Sequence, residues 1–312
     1  MKYNQTVITD VTLLGFQTSK VVSIFLFTLI LVIYISTLCG NVLIITLVSY
    51  SNVLHTPMYF FLTQLSLSDI ILTTDICPNL HIVVQEDGTM SFRGCVLQHY
   101  IFAMTECSEC LLLTVMAYDR YLAICKPLHY TSIMDKLFCI KLASVSWLLG
   151  IIIMMISTVT IACLDFCGPN IIDHFFCDAL PLLNLSCSDT SEVENTRVFL
   201  GIPVLFLPFI FIMCSYMYVI ITIMKIPSTD GKKKAFSTCS SHLTIVCIFY
   251  TSLISMYGLP TSGSSSDISK VISILYTVGT PLINPIIYSL RNKDIKVASD
   301  KIISHFVKFY YL

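Results

Sequence analysis

Formal charge is what this chain has least of. Asp, Glu, Lys and Arg make up 12% of its 312 residues, while 55% are hydrophobic. A soluble domain carries about a quarter charged residues. So little charge cannot cover a globular surface, which excludes a freely soluble domain and makes lipid part of the solvent. The net charge of −1 leaves no basic surface for nucleic acid. Met1 to Lys20 has no apolar core ahead of a small-residue cleavage site, so the first helix is expected to act as an uncleaved signal-anchor. The chain shows no internal repeat and an odd number of spans, against a transporter built of paired halves. It also lacks a serine-nucleophile motif, and Asp69 and Asp119 are too far apart to share a water as a protease pair.

Long stretches without Asp, Glu, Lys or Arg are what the chain does have. Val21 to Ser68 holds none, but is too long for one crossing of about 20 residues. The polar turn Ser51 to Pro57 divides it into helices over 22–49 and 57–80, the second opened by a helix-starting proline. Leu142–Leu164, Val198–Met224, Ala235–Ser266 and Val271–Leu290 are equally clean and give the last four helices, with a loop from Gly258 to Ser266. Cys95 to Ile124 is long enough to span but carries Glu106, Glu109, Asp119 and Arg120. The expected fold is an all-α seven-helix membrane bundle over 22–290, with an extracellular segment 1–21 and a cytoplasmic tail 291–312.

Seven spans put the termini on opposite sides. Thirteen of the eighteen Lys and Arg then fall on the tail side, leaving Lys2, Lys20, Arg93, Arg197 and Lys270 on the other. The excess marks the cytoplasmic face, so a plasma-membrane protein with its N-terminus outside is expected. The sequon Asn4-Gln5-Thr6 agrees as a glycosylation site, and Asn184-Leu185-Ser186 is a second candidate. In the tail, Ile295, Ala298, Ile302, Ile303 and Phe306 recur at helical spacing, which predicts a short amphipathic helix on the inner leaflet.

Most of the fourteen cysteines lie inside spans as small apolar fillers. Cys95, Cys167, Cys177 and Cys187 lie in outer segments, where disulfides form. Four cysteines allow three pairings, and spacing does not choose among them. A metal site of His174, Cys177 and Asp178 is the disfavoured alternative.

Ionisable residues inside spans point to function. Asp69 and Glu109, with Asn41 and Asn284, are expected to meet in the bundle interior. They would form either a centre that holds a sodium ion or a shared proton, or a hydrogen-bonded core with no ion. Asp119 and Arg120 are adjacent and can neutralise each other through the long guanidinium, or serve as an interfacial anchor. Pro285 removes a backbone bond and kinks the last helix.

The motifs are specific. Leu54-His55-Thr56-Pro57-Met58-Tyr59-Phe60-Phe61-Leu62 opens the second helix and Met116-Ala117-Tyr118-Asp119-Arg120-Tyr121-Leu122-Ala123-Ile124-Cys125 closes the third. Ser215-Tyr216 lies in the fifth, Lys234-Ala235-Phe236-Ser237-Thr238-Cys239-Ser240-Ser241-His242-Leu243 opens the sixth, and Pro281 to Asn292 closes the seventh with Asn284-Pro285-Ile286-Ile287-Tyr288. Together these resemble the odorant receptor family of rhodopsin-like G-protein-coupled receptors, from the first helix to the tail. The resemblance implies disulfides Cys95–Cys177 and Cys167–Cys187, and an ion-binding centre at Asp69 and Glu109. It implies an inner latch at Asp119, Arg120 and Tyr121, with Tyr216, His242, Pro285 and Tyr288 as switching partners. It implies a non-enzymatic receptor for small volatile odorants, coupled to the olfactory stimulatory G protein and raising cyclic AMP. Mapped by offset from the motifs, the ligand site is expected at Phe102, Ala103, Glu106, Cys107, Leu200, Val204, Tyr250, Leu253, Ile254, Tyr257 and Thr277. No cofactor is implied beyond the sodium ion.

Two positions depart from the family pattern: Thr251 stands where glycine is usual, and Gly279 precedes Thr280-Pro281. Glu106 is the sharpest feature of this chain. Charged, it favours an amine; protonated, it hydrogen-bonds a carbonyl or alcohol; the blander alternative is a partner for a nearby polar group. Lys225 and Lys232–Lys234 border the expected G-protein cavity, with inner-leaflet lipid as an equal claimant.

Overall fold

The computed structural model describes residues 8–80, 88–167, 169–257, 266–291 and 294–301. Seven long helices dominate the described residues: α1 (Lys20–Tyr50), α2 (Pro57–Ile76), α3 (Phe92–Cys125), α4 (Lys136–Ala162), α5 (Ser191–Met224), α6 (Thr229–Tyr257) and α7. The last runs as Ser266–Ile274, a π-helical turn Leu275–Gly279, and Thr280–Arg291. Several helices overrun the charge-free stretches by up to two turns, because charged residues at their ends reach beyond the apolar zone. Six are long and apolar enough to cross a membrane. The exception is α2, whose Gln64, Ser66, Ser68, Asp69, Thr73 and Asp75 reduce its hydropathy. Its burial resolves the exception: Ser66, Ser68, Asp69 and Thr73 are all inside the bundle.

Local signals start the helices where they start. Pro57 occupies the first turn of α2. The Ser91 hydroxyl accepts from Gly94 N at 3.1 Å to cap α3, and Asp135 accepts from Phe138 N at 2.7 Å to cap α4. Glu192 and Glu194 sit in the first turn of α5, where the helix dipole favours acid.

At the centre, α3 packs on α2, α4, α5 and α6. One continuous core draws Ile44, Leu65, Leu113, Met116, Ile212, Ile245 and Phe249 from successive helices, together with Ile295 and Ala298 of the tail. Residues 294–301 are helical, with those two buried and Lys296 and Val297 outward. The outward faces of α1, α4 and α5 carry Phe25, Ile35, Ile152, Phe199, Leu207 and Met217, all exposed. Such an apolar exterior belongs in lipid, and the chain is a multi-pass membrane protein.

A small sheet covers the end of the bundle that bears the disulfides. Its strands β1 (Asp10–Leu13), β2 (Gly88–Ser91) and β3 (Ile171–Ile172) lie in the order β2-β1-β3. The first two are antiparallel, with Val11 opposite Met90, and β1 runs parallel to β3. Cys95 is bonded to Cys177 and Cys167 to Cys187. With its sulfur thus engaged, Cys177 cannot join His174 and Asp178 as a metal ligand. Lys270 of α7 is buried and reaches Asp173 of the covering segment at 2.5 Å, and Phe16 stacks on Phe175. The sequon at Asn4 lies outside the described residues, as do Ile302, Ile303 and Phe306; Asn184 is exposed.

Candidate functional site

Midway along the bundle, α2, α3 and α7 bring three polar side chains together. Asn284 Nδ2 donates to both carboxylate oxygens of Asp69, at 3.1 and 3.2 Å, and reaches Glu109 Oε1 at 3.5 Å. All three are buried, and Asn284 Oδ1 has no hydrogen-bond partner among the described residues. Asn41 does not join them. Its Nδ2 donates to the carbonyls of Thr37 (3.1 Å) and Pro281 (3.3 Å). The reason lies in α7: Pro285 has no N–H for the carbonyl four residues earlier, and Asn41 supplies that donor instead. Gly40 lets α1 approach, since a Cβ there would stand 3.1 Å from the Pro285 ring.

Toward the disulfide end, Glu106 follows Glu109 by one turn along the same face of α3. Tyr276, in the π-helical turn of α7, donates its hydroxyl to Glu106 Oε2. Phe102 packs edge-on against both Tyr276 (6.3 Å between ring centres) and Phe176 (5.3 Å). Cys107 is buried beside them and Ala103 half-buried. From the other side, Tyr250 Oη meets Cys110 Sγ at 3.2 Å, and that thiol also donates to the Val204 carbonyl at 3.5 Å. Leu200, Val204 and Leu253 are half-buried. Thr277 is buried, its hydroxyl spent on the Ser273 carbonyl. Ile254 is not brought to this place: it is 60% exposed on the outside of α6. Offset from a motif fixes height along a helix but not rotation about its axis, and α6 turns this side chain toward lipid. Thr251 is exposed too, so the missing glycine costs no packing.

Above the site, Tyr257 turns its hydroxyl in to Asp178 at 3.3 Å, and His99 Nδ1 lies 3.6 Å from the same carboxylate. Burial raises the Asp178 carboxyl, but His99, the Ala179 N–H and Arg197 outweigh it and hold the group below the usual carboxylate range. His174 is buried in the covering segment, with Nε2 3.3 Å from the Ser273 hydroxyl. Burial drives its imidazole down to about 4; Lys270 adds to that, against the pull of Asp178 and Asp173.

At the opposite end, Arg120 donates to the neighbouring Asp119 through Nε (2.9 Å) and Nη2. Tyr130, on the short helix Pro127–Ile133, donates to the other Asp119 oxygen at 2.8 Å. Tyr216 Oη and His242 Nδ1 are 2.6 Å apart, linking α5 to α6. The Tyr288 hydroxyl is buried without a hydrogen-bond partner among the described residues. Tyr121 faces away from the latch, its ring edge-on to Tyr218 of α5. Sequence reasoning missed Tyr130, Tyr276 and His99. Tyr276 and His99 act through partners distant in sequence, and Tyr130 reaches Asp119 from the next helix.

A family model described as "Olfactory receptor" matches residues 30–306. Human olfactory receptor 13A1 is 46% identical over 311 residues, covering 98% of this chain and 94% of that one. Mouse olfactory receptor 5G25 is 45% identical over 300 residues, covering 96% and 94%. Squid rhodopsin superposes with a TM-score of 0.67 over 94% of this chain and 88% of its own, at 16% identity, a likeness of fold.

Proposed function

Since the chain belongs to the olfactory receptor family, we propose that it binds small volatile molecules between α3, α5, α6 and α7 and activates a stimulatory heterotrimeric G protein, raising cyclic AMP. It is a receptor and not an enzyme. The disulfide end faces the exterior in this reading, and the Asp119–Arg120 end faces the cytoplasm.

The observation that carries it is the vertical order of the groups in α3. Glu106, the Glu109 centre and the Asp119–Arg120 latch follow one another along one helix, with Tyr276, Asn284 and Tyr288 following in parallel along α7. A ligand at the first level bears on the second and third through two continuous helices. It shifts the receptor only by binding the active arrangement better than the latched one. The mostly apolar surroundings suit a volatile, whose few heavy atoms bury little area, so affinity is roughly micromolar. Asp69, Glu109 and the unpartnered Asn284 Oδ1 supply the oxygen donors that would hold a sodium ion, a hard cation's ligand set. Releasing Arg120 from Asp119, with α6 moving off α3, opens room for the G protein beside the exposed Lys225 and Lys233.

The test is a cyclic AMP reporter in cells that display the tagged receptor at their surface, screened against a broad volatile library. Dose-dependent responses that vanish with Arg120→Ala at equal surface staining support the reading. Silence across the library from well-displayed receptor contradicts it.

A further inference from the structure

We propose that Glu106 determines specificity at this ligand site, and that it selects small protonated amines, which act by replacing the Tyr276 hydroxyl on its carboxylate. The proposal rests on the ligand-site reading above and names the ligand class.

Glu106 is nine-tenths buried, and its hydrogen-bond donor among the described residues is the Tyr276 hydroxyl. Three acids, Glu109, Asp178 and Asp69, act on it electrostatically. Asp178 has His99 beside it and Asp69 has Asn284. Among the described residues, Glu106 has neither a salt-bridged basic side chain nor an amide donor. An ammonium group brings both what the site lacks, a positive charge, and what Tyr276 provides, a donated hydrogen bond. To an ionised Glu106 a ketone or ester offers only acceptors and cannot take the place of a donor.

The walls fit the same class. Phe102 lies one turn from Glu106 on the same face of α3 and sits edge-on to Tyr276 and Phe176. Aromatic rings near a carboxylate suit the short alkyl chain behind an ammonium group.

Displacement also supplies a route for the signal. Tyr276 belongs to the π-helical turn Leu275–Gly279, and such turns are frequent where helices serve function. That turn ends at Gly279, where an added Cβ would meet nothing within 4 Å among the described residues. The glycine is therefore not required for packing, and it leaves the turn free to change pitch. Once Tyr276 is detached from Glu106, α7 loses its tie to α3 just ahead of Asn284, the residue that joins Asp69 and Glu109.

The experiment uses the full receptor, surface-stained, with primary amines of four to eight carbons and the matched alcohols and ketones at neutral pH. Amines should act at concentrations about tenfold or more below the alcohols, with ketones weakest, a spread of ~1.4 kcal/mol or more. Glu106→Gln should abolish that ranking by weakening the amines. Tyr276→Phe, read without ligand, should raise basal cyclic AMP by releasing the tie. Ketones as potent as amines, a ranking untouched by Glu106→Gln, or unchanged basal signal in Tyr276→Phe would each overturn the proposal. Responses to neutral volatiles with a flat ranking would overturn it while leaving the receptor reading intact. Silence to every volatile would remove both.

Discussion

Asn41 donates its side-chain amide to the carbonyl of Pro281, the acceptor that Pro285 leaves without a backbone partner. The kink in α7 is therefore held from α1. Asn41→Ala strands a buried carbonyl at a cost of about 1–3 kcal/mol. We expect a lower melting temperature in detergent and less receptor at the cell surface. Asn41→Gln, which keeps a donor on a longer arm, should recover part of the loss.

The contact between α3 and α4 is tighter still. A Cβ added at Gly150 would collide with the Ser108 hydroxyl and stand 3.0 Å from the Met104 carbonyl. Gly150→Ala should destabilise the receptor by roughly 1–3 kcal/mol, the usual cost of overpacking. Ser108→Ala in the same chain should return a fraction of it, because the carbonyl contact remains. Thermal unfolding of the two single variants and the double variant measures the coupling.

Tyr130 holds Asp119 by a 2.8 Å hydrogen bond while Asp119 holds Arg120. Removing that donor in Tyr130→Phe takes about 1 kcal/mol from the latched arrangement, a shift of ~5-fold in the resting ratio. Basal cyclic AMP should rise at unchanged surface level. A fall in basal signal would show that Tyr130 serves the active arrangement instead.

His174 gives the outer cover a pH dependence with a definite sign. Its folded value of about 4 lies below that of an unfolded histidine, about 6.5. The unfolded cover binds the proton and the folded one refuses it, so stability falls as pH drops from 6.5 toward 4, by up to ~1.4 kcal/mol per unit. Asp178, held low, loses its contribution only at still lower pH. The protection factors of the amides of Thr12, Leu14 and Gly15, which bond to Asn170, Ile172 and His174, should therefore fall between pH 6.5 and 5. His174→Phe should flatten the change.

Particular residues show what the sequence made legible. Runs without charge located six of the seven long helices, because a crossing segment tolerates few charges on any face. The interior acids of α3 did not hide it, since its length and flanks still read as a span. The covering sheet was invisible: Thr12 pairs with Ile171 across about half of the chain, and strands this short carry no period. Asp69, Glu109 and Asn284 were singled out for the cost of burying them, and they do meet. Asn41 was grouped with them by the same logic, yet its partner is decided by a missing N–H on another helix. Nothing in the sequence distinguishes Tyr276 from other membrane tyrosines; its hydroxyl on Glu106 does. The disulfide pairings came from the family resemblance, as spacing left three choices open.

Purified receptor in lipid nanodiscs, mixed with a stimulatory heterotrimeric G protein, tests the central claim most directly through the rate of guanine nucleotide exchange. A small volatile amine should accelerate exchange in the parent receptor and not in Arg120→Ala. Ligand that binds measurably while exchange stays at the rate of empty nanodiscs would contradict the account.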